Sequence, residues 1–408
     1  MFDEKTLKNF CSLVLKLGVN LQKGQGVELI CPVERKDLAL VFTERAYQLG
    51  ASIVRVRWED EEIDKISYQY AETDVLKKVP KWVVMQREYL VENNFCYVAI
   101  ASENPTLFND VDPKKLAEIS SAKSKALKKF SDTVMSNGIR WCVVSVPTKE
   151  WAKQVFPKSD NPESDLLDAI VKTMRLNEDD PVSAWNNHVE NLIRRANILN
   201  EYNFSHLLYS SKNGTNLKIG LAKNHKWLSA MEKSRDGINF IANMPTEEVF
   251  TAPHKNMVDG RLCSSMPLCY QGQIIDEFTI DFKKGKIVGY TAKSGYETLK
   301  GLIETDNGTS YLGEVALIGK SSPITQLKTL FYNTLFDENA SSHLAIGKGY
   351  PTTIINGENL TKKELSALGL NDSVEHVDFM IGTDDLSVIG VTCDGRKITL
   401  FDNGDWMI

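Results

Sequence analysis

The chain lacks the signatures of several protein classes. It has no CxxC pair, and its seven cysteines are odd in number and scattered from Cys11 to Cys393. That argues against a thiolate zinc site or a disulfide framework, and fits buried thiols in a reducing cytoplasm. Asn213-Gly214-Thr215 then reads as a chance sequon. No apolar run approaches the roughly 18 residues that span a bilayer, so no membrane partner is expected. Asp3 and Glu4 stand where a secretion signal would be basic, and the first segment reads as an amphipathic helix. There is no surplus of positive charge. Lys and Arg total 48 against 54 Asp and Glu, a net charge of −6. Nucleic-acid binding needs the opposite balance on one face, so no nucleic-acid partner is expected. The Lys-rich stretch 114–129 reads as a solvated helix face. HExxH and GxSxG are absent. Gly313 and Gly319-Lys320-Ser321 leave five residues between the glycines, one too many for a phosphate-binding loop. Gly24-Gln25-Gly26 precedes a strand, whereas a dinucleotide fingerprint follows one.

What is present is an ordinary globular composition. The 408 residues are 42% hydrophobic and 25% charged, enough for two sizeable cores. The first 180 or so residues alternate helix and strand. Helices are expected over 7–17, 37–49, 82–92 and 117–130, and strands over 27–31, 52–58, 95–101 and 139–146. That rhythm implies a mainly parallel sheet covered by helices. The polar stretch 158–163 contains Pro162, and a long helix is expected over 184–199. Beyond it the texture changes to short strands, at 216–221, 273–281 and 286–290. Lys283-Lys284-Gly285-Lys286 is read as a hairpin turn, and one helix is expected over 324–336. The expected architecture is therefore two-domain α/β. Residues 1–185 form an N-terminal α/β domain, and residues 186–408 a strand-rich α+β domain carrying the functional site.

Histidine is scarce, with six in the chain. Two of them have informative company. In His376-Val377-Asp378-Phe379 the polar residues alternate with apolar ones, so on a strand His376 and Asp378 share one face. His343 opens an apolar run and follows Glu338 in a turn. Glu314 sits at the head of the apolar strand Tyr311–Gly319, where a lone carboxylate is costly to bury. Glu247-Glu248 precedes another short strand, closed by Pro253. Each feature alone has an ordinary explanation: a rim ion pair, a polar loop, an exposed strand-end acid. Together they form an N/O ligand set suited to a pair of divalent ions such as zinc, cobalt or manganese.

The segments NMPTEEVFTAP, YLGEVALIG, ENASSHLAIGKGY and HVDFMIG resemble, in order and spacing, the thermophilic aminopeptidase T / aminopeptidase S family of bacterial metallopeptidases. With GVNLQKGQGVEL near the start, the resemblance covers nearly the whole chain. It implies metal ligands Glu248, Glu314, Glu338, His343, His376 and Asp378, and an active-site tyrosine at Tyr350. Some relatives carry glycine where this chain has Glu247, which makes Glu248 the better match. It further implies release of N-terminal residues from short peptides, and a homodimer whose active site faces an enclosed cavity. On this reading Glu248 or Glu314 shuttles the proton from water to the leaving amine, and Tyr350 donates to the oxyanion. His254 and Lys255 are expected at the surface, with no role. Two alternatives stay open: another metal-dependent hydrolase on the same residues, such as an amidase or phosphoesterase, or a non-catalytic peptide- or metal-binding module.

Overall fold

β-Branched and apolar runs in the first half form four strands: β1 (Gly26–Pro32), β2 (Ile53–Glu59), β3 (Cys96–Ile100) and β4 (Trp141–Val144). They pair in parallel in the order β2-β1-β3-β4, the sheet that strand–helix alternation requires. Strand β1 is buried on both faces: Val27, Leu29 and Cys31 on one are wholly inaccessible, and Ile30 on the other is 3% exposed. Even Glu28 is buried, because Arg87 from the helix Lys81–Glu92 donates to its carboxylate at 2.6 Å. The Arg87 guanidinium also lies over the rings of Tyr97 and Phe130.

The computed structural model describes residues 2–270 and 273–408, which divide into two compact units. The first runs to Asn187 and takes in Met231–Pro245 and Phe331–Leu335; the second holds His188–Ala230, Thr246–Leu330 and Phe336–Ile408. In the first unit, buried Arg140 ties down the segment Met231–Pro245. Its guanidinium donates to Asp236 at 2.5 Å, to the Val19 carbonyl at 3.0 Å and to Gln25. The second unit is strand-rich. One eight-stranded sheet has Asn216–Leu221 and Phe204–Ser210 near its centre, and a separate four-stranded antiparallel sheet carries the residues considered below. The Lys283–Lys286 turn forms as expected. Lys284 and Gly285 both take positive φ, 51° and 83°, and a Cβ at Gly285 would collide with the Lys255 carbonyl.

Several expected elements differ. The helix expected over 117–130 is two, Pro113–Ala126 and Lys128–Met135, the first capped by Asp112 with Pro113 in its opening turn. Pro162, read as part of a polar break, instead opens the helix Pro162–Thr173. The strand expected over 273–281 is split into Gln273–Ile275 and Thr279–Lys283, with Glu277 between them at φ 45°. The helix expected over 324–336 does not form; only Pro323–Leu327 and Thr334–Asp337 are helical. Lys328 and Tyr332 take left-handed conformations that a continuous helix cannot hold, at φ 50° and 56°. The apolar spacing there reflects burial of Phe331, in irregular chain, and Phe336, in the short helix Thr334–Asp337, both inaccessible.

Candidate metal centre

The four-stranded sheet has the order His376–Met380, His343–Gly347, Leu312–Leu317, Val249–Thr251. Its register decides the site. Glu314 pairs with Ala345, and Ala345 with Asp378, so the two acids flank a small residue in one row across three strands. Directly paired residues of an antiparallel sheet project to the same face, as do residues two apart on one strand. His343, two before Ala345, and His376, two before Asp378, therefore join that face. Ala316 pairs with both His343 and Phe250, which puts Glu248, two before Phe250, on the same side. The alanines form a floor without bulk, and both are wholly buried.

A bulge re-aims Glu314. The register slips between Leu312 and Glu314, and a Cβ at Gly313 would come within 2.4 Å of the carbonyls of Gly347 and Lys348. Only glycine allows that approach. On the other side of the bulge, Asn371 donates to the carbonyls of Gly347 and Gly308 at 2.6 and 2.8 Å and fixes the loop that leads to Tyr350. Past Tyr350 the turn Pro351–Thr353 is closed by Thr353 Oγ1 on the Tyr350 carbonyl. Ile354 just beyond is buried with Ala222, Ala252, Leu365 and Leu370.

The side chains converge. His343 Nε2 lies 3.4 Å from Glu248, 3.6 Å from Glu314 and 3.9 Å from Asp378. His376 Nε2 lies 3.3 Å from Asp378 Oδ1. Both imidazoles are held through the other nitrogen. His343 Nδ1 meets the Ser341 carbonyl at 3.2 Å, and His376 Nδ1 meets the Lys348 carbonyl at 2.7 Å. Backbone carbonyls there set the tautomer that leaves Nε2 free to ligate. The Tyr350 ring sits 4.7 Å from that of His376. Two overlapping groups have donor geometry for a cation, Glu248–Glu314–His343 and Glu314–His376–Asp378. Glu338 belongs to neither, but it lies among the same charges.

The electrostatics match a site built for positive charge. Burial pushes Glu314 up, with a hydrogen bond from His343 opposing it. Burial and then the neighbouring Glu248 and Asp378 push Glu338 well above the carboxylate range. His376 is penalised by burial, yet Asp378 outweighs this and holds it up at about 10. His343 is likewise raised by its hydrogen bonds to Glu248 and Glu314, against burial. Asp378 is held down by His376 despite burial, and its Oδ1 is shielded from solvent without a hydrogen bond of good geometry. Four acids share a pocket with two imidazoles. Buried carboxylates crowded against imidazoles, with Asp378 Oδ1 lacking a well-aligned hydrogen bond, are the donor set that carboxylate–imidazole coordination of a divalent cation uses. The residues present thus fit a metal.

All seven residues singled out in the sequence, Glu248, Glu314, Glu338, His343, Tyr350, His376 and Asp378, lie in the second unit on or beside one sheet face. His254 and Lys255, expected at the surface, are half-buried; the His254 ring packs against Gly369, and Lys255 Nζ donates to Ser366 at 2.9 Å. Two further residues escaped notice. His188 meets the Thr246 carbonyl at 2.8 Å with Glu247 3.7 Å away, and Asn339 accepts from the Glu247 N–H at 2.8 Å. Asn339 lies within the segment ENASSHLAIGKGY but pairs across 92 residues, and His188 pairs across 58, so neither partner leaves a local signal.

Residues 3–406 match the family described as thermophilic metalloprotease (M29). The chain is 43% identical over 99% of both chains to Aminopeptidase AmpS of Bacillus subtilis, and 40% identical over 99% of its length and 98% of the relative to Aminopeptidase 2 of Geobacillus stearothermophilus. Among solved structures, wild-type AmpT from Thermus thermophilus superposes with a TM-score of 0.92 at 31% identity, covering 99% of this chain and 100% of that one.

Proposed function

The chain belongs to the thermophilic metalloprotease (M29) family, and on that premise we propose that it is a metal-dependent aminopeptidase that releases N-terminal residues from short peptides. Its curated relatives carry aminopeptidase names. The observation that carries the reading is the single row Glu314–Ala345–Asp378 with His343, His376 and Glu248 on the same sheet face. We assign Glu248, Glu314, Glu338, His343, His376 and Asp378 as ligands of two divalent ions per subunit. Carboxylate and imidazole donors suit zinc, cobalt or manganese. When bound, such ions supply a water ionised near neutral pH and a polarised scissile carbonyl.

The chain's own groups do the rest. His343 and His376 present Nε2 in fixed tautomers. Glu248 or Glu314 takes the proton from the attacking water and hands it to the leaving amine. Tyr350 donates a hydrogen bond from its hydroxyl to the oxyanion that forms on the substrate. The surplus of carboxylates favours the ammonium of a free peptide N-terminus. Residues 1–185 and 186–408 act as an N-terminal and a catalytic domain. The enzyme works in the cytoplasm as a homodimer, which its seven free cysteines suit; among the described residues no helix is long and apolar enough to cross a membrane.

The test is a panel of aminoacyl-anilides with metal-loaded and chelator-treated protein. Cleavage is expected only with metal, and N-acetylation of the substrate abolishes it. Equal cleavage of the acetylated series would identify an amidase instead, and absence of turnover on any of them would identify a binding protein.

A further inference from the structure

Glu248 and Glu338 reach the centre from two short pieces of chain. Glu248 precedes the three-residue strand Val249–Thr251, which pairs with Leu312–Leu317 on one side and, through Phe250 alone, with Leu228 on the other. Glu338 opens the one-turn 3-10 helix Glu338–Ala340. Neither element is long enough to fix a carboxylate by its own backbone bonds. One side chain joins them. Asn339 is wholly inaccessible. Its Oδ1 accepts from the N–H of Glu247, the residue before Glu248, at 2.8 Å. Its Nδ2 is directed at Glu338 Oε1, 3.4 Å away. A single amide therefore spans 92 residues of sequence and couples the backbone just before Glu248 to the carboxylate of Glu338. His188 Nε2 also meets the same short segment, at 2.8 Å from the Thr246 carbonyl.

We propose that Asn339 is a positioning residue of the metal centre, holding Glu248 and Glu338 in ligating register. The inference rests on the ligand assignment made above. The residue type fits the task. An amide offers an acceptor and a donor at once, which is what an N–H on one side and a carboxylate on the other require. A lysine or arginine would pair with Glu338 as a cation and compete with the metal for it. An aspartate would add like charge beside Glu338 and lose the donor. Groups that orient metal ligands typically contribute about 10–100-fold to metal affinity or activity.

The experiment is a zinc titration of the full-length, metal-stripped protein against a chromophoric chelator. The parent is compared with Asn339→Ala, Asn339→Ser and Glu314→Gln, with circular dichroism to confirm folding. Both Asn339 variants are expected to bind zinc about 10–100-fold more weakly, and raising zinc should recover part of their turnover. A purely structural asparagine would lower the melting temperature and leave the zinc affinity of the folded protein unchanged. Asn339→Ser keeps a small polar group near the Glu247 N–H and decides the matter if Asn339→Ala fails to fold. Parent-like zinc affinity in the folded Ser variant, with Glu314→Gln impaired, overturns the role of Asn339 alone. Parent-like affinity in Glu314→Gln overturns the ligand assignment, and this inference with it.

Discussion

Tyr350 keeps its proton. Burial first, and then the carboxylates of Glu314, Asp378, Glu338 and Glu248, raise the phenol well above its ordinary value, so it stands beside the centre as a donor. Replacing it with Phe keeps the ring that packs against His376 and removes only the hydroxyl. We expect kcat to fall about 10²–10³-fold, the equivalent of losing one oxyanion donor at roughly 2.7–4 kcal/mol. Metal content by elemental analysis should stay at the parent level. Near-parent kcat would make Tyr350 a packing residue, and loss of metal would make it a ligand. At this scale the sequence was highly legible where chemistry is local. His376-Val377-Asp378 alternates on a strand, and both its polar residues do share a face. The face shared by Glu314 and Asp378 was not legible, because it depends on Ala345 between them and on the Gly313 bulge. Asn339 and His188 were invisible for the same reason: their partners are brought near only by the finished fold.

Among elements, the parallel sheet followed from strand–helix rhythm, since buried β-branched runs with intervening helices have few other solutions. Ends and interruptions were less legible. The run 324–336 has helical apolar spacing, yet Lys328 and Tyr332 turn left-handed within it and its phenylalanines are buried without a continuous helix. Local propensity gave way there to tertiary packing. The inclusion of Met231–Pro245 in the first unit likewise has a tertiary cause, the Asp236–Arg140 pair. Partial burial pushes the Asp236 carboxyl up, but hydrogen bonds from Ser234 and Arg140 outweigh it and hold it down at about 2. A depressed carboxylate contributes stability that is full above its unfolded value, near 3.8, and is lost as pH falls toward 2. Urea unfolding of the parent and Asp236→Asn should therefore differ most at pH 5 and converge as pH drops below about 4. A gap that stays constant between pH 5 and pH 3 would show that Asp236 gains nothing from Arg140.

For the whole molecule, the homodimer proposal is open to direct test. The first unit exposes two large apolar side chains on one helix, Trp82 and Met85, 67% and 66% accessible. Sedimentation velocity at micromolar concentration should give a species near twice the chain mass of 45.9 kDa. A fully active monomer would refute the proposal. The proposed function itself requires that residues far apart in sequence converge on one metal-dependent hydrolytic centre. It is tested most directly by His376→Ala, purified beside the parent and assayed together for bound metal per chain and for aminoacyl-anilide turnover. We expect loss of bound metal and of turnover, with a circular dichroism spectrum like the parent's, because Val377 and Phe379 still anchor the strand from its other face. Unchanged metal stoichiometry and unchanged turnover in a folded His376→Ala protein would contradict it.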